Sequence, residues 1–185
     1  MNANTKLQNA IDARDSLVCV GLDTDPARIP DHLKSDRNAV LAFNQAIIKA
    51  TSDLVAAYKP NLAFYEALGS SGWEILEETL GLIPEGIITI GDAKRGDIGN
   101  TARQYAKALF SLGFDFVTVN PYLGLDSVAP FIEEEERGVF ILCLTSNPSS
   151  RDFQYRKTDA ETLYQSVAKH AMKSVSYTHL RAHET

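Results

Sequence analysis

The chain has 185 residues, 44% of them apolar and 23% charged, with a formal net charge of −6. That balance can build a packed core, and the excess of acid argues against a general nucleic-acid surface. The longest apolar run, near Val139, falls well short of the ~20 residues that span a bilayer. No apolar leader follows Met1, so a cytoplasmic protein with no membrane partner is expected.

In chain order, five short apolar runs each end abruptly in polar groups. Leu17-Val18-Cys19-Val20-Gly21-Leu22 ends at Asp23, Val55-Ala56-Ala57-Tyr58 at Lys59-Pro60-Asn61, and Gly86-Ile87-Ile88-Thr89-Ile90-Gly91 at Asp92. Phe116-Val117-Thr118-Val119 ends at Asn120-Pro121-Tyr122, and Val139-Phe140-Ile141-Leu142-Cys143-Leu144 at Thr145-Ser146-Asn147. Successive ends lie roughly 25 to 36 residues apart, room for a strand and a helix. Short continuous apolar runs alternating with helical patterns are the mark of buried parallel strands.

The intervening patterns predict helices. Asp36 to Leu54 presents Val40, Leu41, Phe43, Ile47 and Ile48; Trp73 to Leu82 presents Trp73, Ile75, Leu76 and Leu80, with Trp73 read as core; Leu125 to Glu136 presents Val128, Phe131 and Ile132. The acidic run Glu133 to Glu136 reads as a solvated face at a helix end. Thr101-Ala102-Arg103-Gln104 reads as a capping box opening a helix with Tyr105, Ala108, Leu109 and Leu112 on its apolar side. A last helix is expected from Thr162 to Val175. Cys19 and Cys143 fall in the strands and read as inert core thiols.

The third end carries the densest chemistry: Asp92-Ala93-Lys94-Arg95-Gly96-Asp97-Ile98 places four charges in a strand-to-helix loop, where α/β folds hold their sites. Residues two apart on a strand share a face, so Asp92 and Lys94 point to one spot while Ala93 faces away. A solvated turn is the plain alternative for one such cluster, but five polar ends on one sheet edge favour a site. An anionic substrate needs local cations in an acidic protein, and Lys59, Lys94 and Arg95 supply them.

Repeated βα units argue for an α/β fold of the (β/α)8 barrel type rather than an open doubly wound sheet. No G-x-G-x-x-G follows the first run, and Gly91 to Gly96 lacks the lysine that a phosphate-binding loop requires next. A barrel takes about 250 residues, so about five of its eight units are expected here, as a partial barrel over residues 1–175. Residues 176–185 carry His179 and His183 without apolar periodicity. They read as a non-native tail rather than a metal site.

Four motifs in order, Cys19-Val20-Gly21-Leu22-Asp23, Tyr58-Lys59-Pro60-Asn61, Asp92-Ala93-Lys94-Arg95-Gly96-Asp97-Ile98 and Asn120-Pro121-Tyr122, resemble the orotidine 5'-phosphate decarboxylase family. Within it they look like the bacterial subgroup with D-A-K-R-G-D-I-G-N-T at the third strand end. The likeness runs from about Leu7 to about Val175. It implies decarboxylation of orotidine 5'-phosphate to UMP without cofactor or metal, in a homodimer.

The resemblance makes Lys94 the proton donor to C6, Asp92 its partner beside the substrate carboxylate, and Lys59 the completing cation. Asp97 would reach the neighbouring subunit's site near the ribose. Asp23 would bind a ribose hydroxyl, Ser146 the pyrimidine, and Ile98, Thr101 and Asn120 would also line the substrate. The phosphate grip would lie in later βα loops, and neither Arg95 nor Arg151 is assigned to it. Two other readings stand beside this one. One is a Mg²⁺-dependent sugar-phosphate decarboxylase or aldolase of the same superfamily, which wants a carboxylate where Lys59 stands. The other is an inactive barrel fragment.

Overall fold

Five parallel strands form one sheet in a computed structural model that describes residues 1–34, 38–158 and 160–174. They are β1 (Cys19–Gly21), β2 (Ala57–Lys59), β3 (Ile88–Arg95), β4 (Phe116–Val119) and β5 (Gly138–Ile141). Each pairs only with its sequence neighbours, in the order β1-β2-β3-β4-β5. A doubly wound sheet reverses strand order part-way, whereas a barrel does not. The fold is α/β, with the strand arrangement of an incomplete barrel.

Seven helices accompany the strands among the described residues: α1 (Ala3–Arg14), α2 (Asp31–Lys34), α3 (Ala39–Thr51), α4 (Leu62–Glu66), α5 (Ser70–Gly81), α6 (Gly99–Ser111) and α7 (Leu163–Ser174). A two-stranded antiparallel ribbon, β6 (Lys157–Thr158) and β7 (Glu161–Thr162), precedes α7. None of these helices is long and apolar enough to cross a membrane.

The sheet has two differently used faces. Val117, Val119, Val139 and Ile141 point into a cluster with Leu76, Ala106, Leu109 and Phe131, where the helices cover the sheet. The opposite face carries Ala57, Ile88, Ile90 and Phe116, which pack against Ala3 and Ala10 of α1. This helix closes the N-terminal end of the concave face, tied there by Lys6 to Asp115 and by the Ala3 N–H to the Glu135 carbonyl at 2.7 Å. The polar strand ends lie at the other edge.

Several expected elements differ. Leu125 to Glu136 forms not an α-helix but short 3₁₀ turns at Leu125–Ser127 and Ala129–Phe131, with the acidic run in turns beyond. Pro130 explains this, since it has no N–H to donate to a carbonyl four residues back and its ring clashes with that carbonyl, so an α-helix cannot run through it. Val128 and Phe131 are still buried, as their spacing suggested.

The capping box at Thr101 is not used: α6 begins two residues earlier after Ile98, without a side-chain cap. Its buried stripe is accordingly Ala102, Ala106 and Leu109, leaving Ala108 exposed. Trp73 lies 38% exposed, because the buried stripe of α5 runs through Gly72, Ile75, Leu76 and Thr79. Cys19 is exposed and Cys143 half-buried rather than core thiols. Asp36, Val175 and the tail with His179 and His183 lie outside the described residues.

Candidate active site

The C-terminal ends of β2, β3 and β4 converge on Asp92. Its Oδ2 accepts from the Lys59 ammonium at 3.1 Å, and its Oδ1 from the Lys94 ammonium at 2.5 Å. Thr118 of β4 donates its hydroxyl to Oδ1 at 2.9 Å. The Asp92 N–H bonds the Pro60 carbonyl at 3.0 Å, which sets the register between the two strand ends. Asp92 is 8% exposed, whereas Lys59 and Lys94 each keep part of their side chain open to solvent.

The electrostatics of this trio are self-consistent. Desolvation of Asp92 would raise its pKa, but the Lys94 hydrogen bond, the Lys59 charge and the Thr118 hydroxyl outweigh it and hold the carboxyl below the usual range. Desolvation of Lys59 would lower its pKa, yet the charge and hydrogen bond of Asp92, with help from Asp23, leave it above the ordinary lysine value. Both groups are therefore charged near neutrality. The result is an alternating Lys–Asp–Lys row at the edge of the sheet.

Lys94 is held in an unusual backbone. Its φ of 48° lies in the left-handed region, which costs a non-glycine residue roughly 1–3 kcal/mol and gathers at functional sites. The β3–β4 ladder is irregular here, pairing Gly91 with Val117 and then Arg95 with Val119. Lys94 and Asp92 do meet, as strand periodicity suggested, but through this kink rather than a plain extended strand. Ala93 faces the other way, buried against the helices.

Close backbone approach continues past the kink. The Asn120 N–H bonds the Arg95 carbonyl at 2.7 Å, and a Cβ on Gly96 would meet the Asn120 carbonyl oxygen at 2.6 Å. Only glycine fits there. Arg95, expected to add a cation to the site, turns outward instead. It donates to the Ala93 carbonyl at 2.9 Å, pairs with Glu66 and lies over the Tyr105 ring at 5.5 Å.

The remaining expected residues surround the row without joining it. Asp23, exposed at the end of β1, accepts from Asn61 Nδ2 at 3.5 Å, the outer limit of a hydrogen bond. Asp97 accepts from the Ile98 N–H at 2.7 Å and, among the described residues, forms no ion pair. Ile98 is 59% exposed, and Thr101 is exposed in the first turn of α6. Asn120 accepts from the Tyr122 N–H at 3.0 Å and caps the turn Pro121–Leu123. Ser146 is exposed in the bend after β5.

Three contributors escaped the sequence reading. Thr118 looked like an ordinary β-former inside an apolar run. Asn44, wholly buried in α3, donates to Tyr65 and Thr79 at 3.0 Å each and accepts from Thr24 at 2.6 Å. The Tyr65 hydroxyl in turn donates to the Leu22 carbonyl at 3.0 Å, and its burial pushes its pKa up to about 12. This network fixes the chain immediately before Asp23. The signal available was an asparagine at a core position of an apolar helix, a placement that demands partners.

Below the row, on the concave face, a cavity of about 460 Å³ is lined by Lys59, Thr118, Cys19, Ile90, Phe140 and Tyr164, among others. That volume lies within the range of small-molecule sites. Cys19 is exposed as a residue, but desolvation raises its thiol pKa, with Lys59 working against that rise and Asp23 with it. It is therefore a poor nucleophile.

A sequence model of the orotidine 5'-phosphate decarboxylase / HUMPS family matches residues 16–180. The chain belongs to this family. It is 50% identical over 176 residues to the orotidine 5'-phosphate decarboxylase of Herpetosiphon aurantiacus, covering 94% of this chain and 66% of that protein. It is 54% identical over 171 residues to that of Dehalococcoides mccartyi, covering 90% of this chain and 62% of that protein.

Among solved structures, the OMP decarboxylase of Leishmania donovani superposes with a TM-score of 0.86 at 36% identity, over 98% of this chain and 70% of that one. The chain thus spans somewhat under two thirds of the two bacterial relatives. The Lys–Asp–Lys row and the glycine-tight loop lie inside the family match.

Proposed function

We propose that this protein decarboxylates orotidine 5'-phosphate to UMP in pyrimidine biosynthesis, without a cofactor, with Lys94 donating the proton to C6. The observation that carries the reading is the Lys59–Asp92–Lys94 row at the strand ends of a chain of this family. Breaking the bond between C6 and the carboxylate leaves an electron pair on a vinyl carbon with no adjacent carbonyl to absorb it. Stabilisation must then be electrostatic, and a fixed ammonium aimed at C6 both opposes that charge and delivers its proton. Lys94, left neutral, regains a proton from water.

Asp92 sits where it would crowd the departing carboxylate and orient Lys94, while Lys59 keeps Asp92 ionised. Asp23 would bind a ribose hydroxyl, its position held by the Asn44–Tyr65 network, and Ser146 the pyrimidine. Ile98, Thr101 and Asn120 complete the substrate contacts, and Asp97 serves the partner subunit of a cytoplasmic homodimer. A Mg²⁺-dependent sugar-phosphate reaction is disfavoured by Lys59. Its ammonium lies 3.1 Å from Asp92, where a divalent cation would want a carboxylate.

The deciding experiment is CO2 release from orotidine 5'-phosphate by the full-length protein and its Lys94→Ala variant. The parent should turn over. Lys94→Ala should lose all measurable activity while binding a UMP analogue within about tenfold of the parent, because a proton donor acts chiefly in the transition state. Turnover by the variant within a factor of about ten of the parent would remove Lys94 from this role.

A further inference from the structure

Thr118 lies in the middle of β4, 6% exposed, and the two hydrogen bonds of its hydroxyl have only one consistent polarity. The Lys94 backbone N–H donates to Oγ1 at 2.9 Å, so the oxygen is an acceptor there. Its single proton then goes to Asp92 Oδ1 at 2.9 Å, the same oxygen that the Lys94 ammonium holds. Thr118 thus bridges the peptide of Lys94 and the carboxylate that grips the Lys94 side chain. It does so where the β3–β4 ladder is interrupted between Gly91 and Arg95, supplying a side-chain acceptor to the Lys94 N–H within that irregular stretch.

We propose that Thr118 is a positioning residue for decarboxylation: its hydroxyl holds Lys94 in its left-handed backbone and turns Asp92 so that one carboxylate oxygen serves Lys94 and the other Lys59. The role rests on the decarboxylase reading. Lacking the hydroxyl, the Lys94 N–H loses its acceptor at a residue already strained, and Asp92 Oδ1 loses a donor that fixes its plane. Both changes loosen the ammonium from the point where the proton must be delivered, and small misplacements there act on the chemical step rather than on substrate binding.

The test uses the full-length protein with Thr118→Val, which keeps the shape and removes the hydroxyl, and Thr118→Ser, which keeps the hydroxyl and removes the methyl. Thr118→Val should lower kcat at least about tenfold with KM within about threefold, and Thr118→Ser should retain kcat within about threefold. A packing role predicts the opposite order, serine worse than valine, and that order would overturn the proposal. Should Thr118→Val not fold, the serine variant still decides. A kcat loss of more than about tenfold with the hydroxyl present would equally overturn it.

A second readout needs no turnover. Titration of the Asp92 carboxyl by ¹³C NMR in the unliganded protein should show its midpoint moved upward in Thr118→Val and unmoved in Thr118→Ser. The charged groups facing it, Lys59 on β2 and Lys94 on β3, are untouched by either change, as is Asp23 beside Lys59. An unmoved midpoint in Thr118→Val would sink the hydrogen-bond assignment. A parent with no turnover would instead remove the decarboxylase reading and leave this titration standing.

Discussion

Asp92 keeps its charge because three donors surround it, and that arrangement ties the fold to pH in a defined direction. Its folded pKa lies below the unfolded value of about 3.9, so its contribution to stability is present above that value and is lost as pH falls through the folded pKa. Lys59 runs the other way. Its folded pKa lies above the unfolded value of about 10.4, so its contribution is complete below that pH and is lost as pH rises through the folded pKa.

The difference in urea midpoint between the parent and Asp92→Asn should therefore stay level from about pH 5 to 9 and shrink below about pH 4. A difference that grew on acidification would mean that Asp92 is destabilised by its surroundings rather than held by them. At the same scale, Thr118 and Asn44 show what a single chain conceals. A threonine suits any strand, so the value of Thr118 became visible only with Lys94 and Asp92 beside it, whereas Asn44 at a core position of an apolar helix signalled a need for partners without naming Tyr65 and Thr79.

At the scale of elements, the exits of β3 and β4 are locked backbone to backbone at Gly96 and Asn120. Gly96→Ala would drive a Cβ to 2.6 Å from a carbonyl oxygen that cannot swing aside. Overpacking of this kind costs roughly 1–3 kcal/mol, and the shift would pass directly to Lys94 two residues away. Thermal melting should fall by several degrees and activity should drop with it. A variant matching the parent in both would show that the loop yields freely.

Strand ends were legible because a parallel strand buried on both faces leaves an uninterrupted apolar run, and its polar exit marks the functional edge. The helices were less so. α1 buries only Ala3 and Ala10, too small to write a clear stripe. The stretch from Leu125 kept its buried Val128 and Phe131 while Pro130 broke the helix that their spacing promised. Arg95 shows the limit of reading charge from position. Adjacent to Lys94 in sequence, it faces Glu66 and Tyr105 on the outer side.

For the whole molecule, the placement of Asp97 is the informative point. Its carboxylate turns to its own loop and stays out of the Lys–Asp–Lys row within its chain, although it sits three residues from Lys94. In the proposed homodimer an isologous contact would bring each Asp97 to the other subunit's site. Mixing full-length Lys94→Ala and Asp97→Ala subunits, each inactive alone, should regenerate activity through heterodimers that hold one intact site. Absence of recovery, with exchange verified by mass spectrometry, would return Asp97 to its own subunit.

The helix that closes the floor of the concave face has a consequence for the order of assembly. α1 leaves the ribosome before any of the five strands, yet Lys6 meets Asp115 across 109 residues and the Met1 ammonium meets Glu136 across 135. Its apolar partners Ile88, Ile90 and Phe116 are also synthesised late. Closing so long a loop carries an entropy cost that is recovered only once the receiving surface exists. α1 must therefore wait, uncommitted, until the third and fourth strands have paired, and its docking covers the sheet behind the polar strand ends rather than nucleating it.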